Sequence, residues 1–105
     1  VLNKTKLDTL LKKKWEGITN SLSIKDTSKA LIYISSATRA SYQQMFDALK
    51  DQLPAIIATK REFNLIDVMG NAAKYELVTL ENSKTYSYEV IFIKDKEGFW
   101  VIQDF

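Results

Sequence analysis

Leu7, Leu10, Leu11, Trp15, Ile18 and Leu22 recur in steps of three and four. That spacing gathers them on one side of an amphipathic helix over about residues 3–21 and leaves Lys4, Lys6, Lys12, Lys13 and Lys14 on the outer side. Gly17 interrupts this helix at a cost of about 1 kcal/mol relative to alanine, which marks it as a point of close packing. The polar run Asn20-Ser21-Leu22-Ser23 ends it. Asp26, Thr27 and Ser28 are competent caps ahead of the apolar block Ala30–Ile34. The block is rich in strand-forming residues, but the cap cluster and the alanine predict a short helix, closed by Ser35 and Ser36. Thr38 is expected to cap the clearest helix of the chain. Tyr42, Met45, Phe46, Leu49 and Leu53 lie on one face of it, with Arg39, Gln43, Asp47, Lys50 and Asp51 on the other. Pro54 should break that helix and open a short one through Ala58.

Beyond Lys60 the period changes from 3.6 to 2. Four strands read out: Glu62–Met69, Ala73–Leu80, Thr85–Lys94 and Phe99–Phe105, separated by Gly70-Asn71, Glu81–Lys84 and Asp95–Gly98. Connections this short imply an antiparallel meander. Helices first and a meander second predict an α+β domain, with the N-terminal helices packed on one face of a curled four-stranded antiparallel sheet. The sheet must then show those helices an apolar face. Tyr75 and Leu77, then Tyr86, Tyr88, Val90 and Phe92, then Trp100 and Ile102 form the expected inward set. Ile91, Ile93, Val101 and Phe105 fall on the opposite face, diluted by Ser87, Glu89 and Gln103. A sheet with water behind it alternates more cleanly than this. Either the sheet curls enough to cover parts of both faces, or the outer face meets a second copy or a neighbouring domain.

Length and composition narrow the chemistry. The 105 residues are 46% apolar and 27% charged, the make-up of one soluble domain rather than a disordered or disulfide-held chain. There is no cysteine and no histidine. Thiol and imidazole catalysis and the common zinc sites are therefore excluded. A net charge of +2 is too small to predict nucleic-acid binding, and the lysines near the start read as a solvated helix face. No apolar run is long enough to span a membrane. The chain opens at Val1 inside a helical pattern, which leads to the expectation of a domain taken from a longer protein.

The stretch Val90-Ile91-Phe92-Ile93-Lys94-Asp95-Lys96-Glu97-Gly98-Phe99-Trp100-Val101-Ile102 resembles the closing hairpin of the nuclear-transport-factor-two-like superfamily. Met69-Gly70-Asn71-Ala72-Ala73-Lys74-Tyr75-Glu76-Leu77 is similar to a glycine turn and alanine-led strand of the same group, and Tyr42–Ile57 to the helix before the sheet. The resemblance implies a cone-shaped fold. It allows ketosteroid-isomerase-like or SnoaL-like enzymes, non-catalytic ligand-binding modules, dimerising adaptors, and extracytoplasmic or lipoprotein domains of bacteria. The enzymes place an acid–base Asp or His with a tyrosine inside the cone. This chain has no His, and no Asp of it matches a family motif. It also has three helical stretches before an uninterrupted meander, where many members insert a strand.

Candidate chemistry is correspondingly thin. Asp67 shares the alternation of Phe63 and Leu65; pointing inward it would be a carboxylate in an apolar setting and a candidate general base, and at the strand end it would simply meet water or a turn amide. Tyr33, Tyr42, Tyr75, Tyr86 and Tyr88 could gather around a cavity and offer hydroxyls to a small apolar ligand, or pack as core and rim. Arg39 beside Thr38 could hold an anion or form a salt bridge. No phosphate loop, calcium loop or catalytic triad can be built, and no metal or cofactor is expected. The reading that results is a non-enzymatic interaction or small-ligand-binding module, set in an exported bacterial protein. The competing reading is a small isomerase- or dehydratase-type enzyme using Asp67 and a tyrosine.

Overall fold

The computed structural model describes residues 4–105, apart from the side chains of residues 60 and 61. Four helices precede four strands: α1 Lys4–Ser23, α2 Thr27–Leu31, α3 Arg39–Leu49, α4 Leu53–Ala58, then β1 Lys60–Met69, β2 Ala72–Glu81, β3 Lys84–Lys94 and β4 Trp100–Asp104. Residue 3 of the expected first helix lies outside the described residues. The sheet is an open antiparallel meander in the order β1-β2-β3-β4, so the chain is α+β with its helices on one face.

Local chemistry explains the helix ends. Asp26 caps α2 by accepting the Lys29 N–H at 3.1 Å. The helix lies one turn earlier than the apolar block suggested, and Ile34 is left outside it. Ile34 instead makes one parallel bridge to Ile102: Ser35 N–H donates to the Ile102 carbonyl and Ile102 N–H to the Tyr33 carbonyl, both at 2.7 Å. The segment thus closes the outer edge of β4. Thr38 precedes α3 without capping it; its hydroxyl donates to the Gln103 carbonyl at 3.0 Å and ties the helix start to β4. A 3-10 turn, Lys50–Gln52, separates α3 from α4, and Pro54 sits in the first turn of α4, where its missing N–H costs nothing.

The core lies between α1, α3 and the sheet. Leu11, Ile18, Ile34, Tyr75, Val90, Phe92 and Ile102 are wholly enclosed. A run of rings threads it: Tyr42 stacks on Phe105, Phe105 meets the edge of Trp15, Trp15 stacks on Phe63 at 4.6 Å, and Phe63 stacks on Tyr75 at 4.3 Å. Rings bring large apolar area and a preference for stacked or edge-on contact, so this run fixes how α1 lies over the sheet. Gly17 is where α1 touches the segment after α2: a β-carbon there would run into the Tyr33 hydroxyl. The sequence-based expectation of close packing at Gly17 is met by that ring.

Besides a register shift at Lys60/Glu62, where β1 begins, two β-bulges shift the alternation. In β1, Leu65 pairs with Tyr75 but Asp67 pairs with Lys74, so one extra residue intervenes. In β4, Ile102 pairs with Phe92 but Asp104 pairs with Ile91. Each bulge moves every later side chain of its strand to the other face. Simple alternation therefore fails for Asp67 and for Phe105.

Candidate ligand groove at the open end of the sheet

The inner face of the sheet is two regions. Ala73, Tyr75, Val90, Phe92, Trp100 and Ile102 are buried under the helices. Tyr86 and Tyr88 share the inner face of β3 with Val90 and Phe92, yet they are 42% and 45% exposed. The expectation that Tyr88 is sandwiched with Phe92, Trp100 and Ile102 is thus corrected. Alternation assigned the face properly, but β3 runs out beyond the helix layer before it reaches Tyr88.

Where the helices stop, a groove of about 280 Å³ opens between α3, α4 and the β2–β3 hairpin. Its apolar walls are Met45, Ile56, Leu77 and Phe105, with Thr79, Glu81 and Tyr88 at the hairpin side. The Thr79 hydroxyl donates to Glu81 Oε2 at 2.6 Å, and the Tyr88 hydroxyl donates to the same oxygen at 3.0 Å. That bond to a carboxylate, which favours the protonated phenol, pushes the Tyr88 pKa up. The groove therefore has an apolar floor and a small, ordered polar wall.

Of the five candidate tyrosines, only Tyr88 reaches this groove. Tyr42 is buried against α3 and β4, where its hydroxyl donates to Asp104 and accepts the Phe105 N–H, both at 2.9 Å. Burial, the larger effect, raises its pKa. Tyr75 lies wholly inside and donates to Asp8 at 2.6 Å; burial first, and Asp8 second, hold its hydroxyl protonated far above the usual range. Tyr33 covers Gly17, and Tyr86 stacks beside Tyr88 on the hairpin. The tyrosines do not gather around one cavity.

Asp67 stands on the outer face, exposed, and accepts only the N–H of its neighbour Val68 at 2.8 Å among the described hydrogen bonds. The bulge between Leu65 and Asp67 put it there. It cannot work with a tyrosine inside the sheet's concavity, so the proposed general base is withdrawn. Arg39 makes no salt bridge among the described residues; its guanidinium donates to the Ile34 carbonyl at 2.9 Å. Ile91, Ile93 and Val101 lie on the outer face as expected and are half-buried. Phe105 does not join them: the β4 bulge turns it inward onto Tyr42, and it becomes a wall of the groove.

Sequence reasoning missed Met45, Ile56, Thr59, Leu77, Thr79 and Glu81 as groove residues. A signal was present for two of them. Thr79 and Glu81 continue the inward phase of Tyr75 and Leu77, and of the two Thr79 is buried while Glu81 is only half-buried. Among the described residues no group of three or more His, Cys, Asp or Glu side chains comes together as a metal site. No described helix is long and apolar enough to cross a membrane. A scan against protein-family models finds no match to this chain, and a search of curated proteins finds none.

Proposed function

We propose that this domain is a non-enzymatic binding module that takes a small apolar ligand in the groove at the open end of the sheet. One observation carries the reading: Met45, Ile56, Leu77 and Phe105, drawn from four separate parts of the chain, converge on one open concavity with an ordered hydroxyl–carboxylate wall. Ligand sites run to about 300–1,000 Å³ and combine apolar walls with a few placed polar groups. At about 280 Å³ the groove suits an occupant no larger than a fused ring or a short alkyl chain. The order of helices and meander supports membership of the nuclear-transport-factor-two-like superfamily. An extracytoplasmic bacterial setting rests on that resemblance alone and belongs to the proposal with it.

The test is a titration of the methyl-labelled domain with indole, followed by NMR. Saturable shifts confined to Met45, Ile56 and Leu77, and lost in Ile56→Glu with the fold retained, are the expected result. Linear, scattered shifts up to millimolar indole would end the reading.

A further inference from the structure

The sheet has three stretches of edge, and they are treated differently. The edge of β1 is interrupted by register shifts at Lys60/Glu62 and Leu65/Asp67. The edge of β4 is covered at Ile102 by the bridge from Tyr33–Ser35. The third stretch belongs to β3. Its pairing with β4 ends at Ile91, whereas its pairing with β2 continues without a bulge to Lys84. Bulges, proline and covering loops are the devices that normally blunt a sheet edge. Residues 84–90 carry none of these three, and their only edge charges are Lys84 and Glu89.

The direction of the unused backbone groups follows from the ladder. Lys94 N–H donates to Asn71 at the end of β2, and Asp95 N–H donates to Phe99 across the β4 hairpin. Even-numbered residues of β3 therefore face β2, and odd-numbered ones face the opposite side. Thr85, Ser87 and Glu89 turn their N–H and carbonyl groups to the open edge. Their neighbours Tyr86 and Tyr88 stand exposed on the inner face.

We propose that this edge pairs with the same edge of a second copy of the chain, antiparallel and centred on Ser87. The sequence is self-complementary in that register. Ser87 meets Ser87, Thr85 meets Glu89, and Tyr86 meets Tyr88 of the second copy at a position without backbone bonds, where side chains lie closest. No like charges face one another. Lys84 of the second copy arrives at the end of β4, where Asp104 sits. The two sheets become one, with both helix layers on the same side and four tyrosines packed between them. This inference is independent of the groove: its readout is mass, with no ligand present.

Sedimentation equilibrium of the chain over micromolar to millimolar concentration tests it. The expected result is a reversible monomer–dimer equilibrium. Ser87→Pro removes an N–H that β2 does not use, so the fold tolerates it, and dimerisation should be lost. Thr85→Glu sets like charges opposite Glu89 twice and should weaken the dimer about tenfold, while Thr85→Lys should tighten it. A strict monomer at millimolar concentration overturns the inference, as does a dimer unmoved by Ser87→Pro but broken by Ile93→Lys, which would place the contact on the outer face. A monomer that instead binds added extended peptides at this edge also overturns it.

Discussion

Tyr75 and Tyr88 stand on the same face of adjacent strands, and each donates its hydroxyl to a carboxylate, Asp8 at 2.6 Å and Glu81 at 3.0 Å. Tyr75 is fully enclosed and Tyr88 is 45% exposed. The difference is made by what lies above them. Trp15 and Phe63 bring α1 and β1 over the Tyr75 end, whereas α3 and α4 stop short of the hairpin end. The inner face is therefore core along β2 as far as Leu77 and Thr79, and the end of β3 that carries Tyr86 and Tyr88 is surface shaped like core. That is the form a binding region takes when it is built as an extension of the hydrophobic layer and left uncovered.

The sharpest way to break this comparison is to truncate one ring in each half. Phe92→Ala should lose about 3–5 kcal/mol in denaturant unfolding, a large share of a small domain's stability, because its site is closed on all sides. Tyr86→Ala should lose under about 1 kcal/mol, since its ring is 42% exposed and rests only on its neighbour Tyr88 among the described ring contacts. Equal losses would mean that the hairpin half is covered after all.

The hydroxyls give the next largest contrast. Tyr75→Phe should cost about 1–2 kcal/mol, since its bond to a carboxylate is sheltered, and Tyr88→Phe should be nearly neutral. The pH dependence carries the same sign. The folded chain holds the Tyr75 proton where the unfolded chain loses it, so this contribution is complete below about pH 10 and declines above it, by about 1.4 kcal/mol per pH unit for each proton released on unfolding. The alkaline limb of the stability curve should be shallower in Tyr75→Phe. It should not vanish, because Tyr42 is shifted in the same direction.

How much of this was legible in the sequence depends on position. Periodicity located α1, α3 and the four strands, because long amphipathic patterns bury one face whatever the tertiary detail; α2 and α4 were read from cap residues and Pro54, and α2 lies a turn earlier than its apolar block suggested. It failed at Asp67 and Phe105, where a single inserted residue reverses the alternation and leaves no compositional mark. It also could not say that Tyr86 and Tyr88 lie beyond the helices, since alternation reports a face and not what stands over it. Arg39 and Thr38 were misread for a related reason: both satisfy backbone carbonyls that tertiary structure brings close.

Two smaller tests follow from those particulars. Gly17→Ala gains helix propensity but drives a methyl into Tyr33, so it should destabilise the native chain and stabilise Tyr33→Ala by about 1 kcal/mol, a reversal visible in a double-mutant cycle. Asp67→Asn should change stability by less than about 0.5 kcal/mol, as expected of an exposed residue bonded only to its neighbour's N–H among the described hydrogen bonds.

The division of the sheet is tested most directly by hydrogen exchange of the β3 amides, at a concentration where sedimentation finds only monomer. Phe92 and Val90, bonded to β2 beneath the helices, should exchange slowest, and Ser87 and Glu89 should exchange at rates near those of an unprotected peptide. Protection at Ser87 and Glu89 equal to that of Phe92 would contradict the account, because it would mean that the hairpin half of the sheet is neither open nor unpaired.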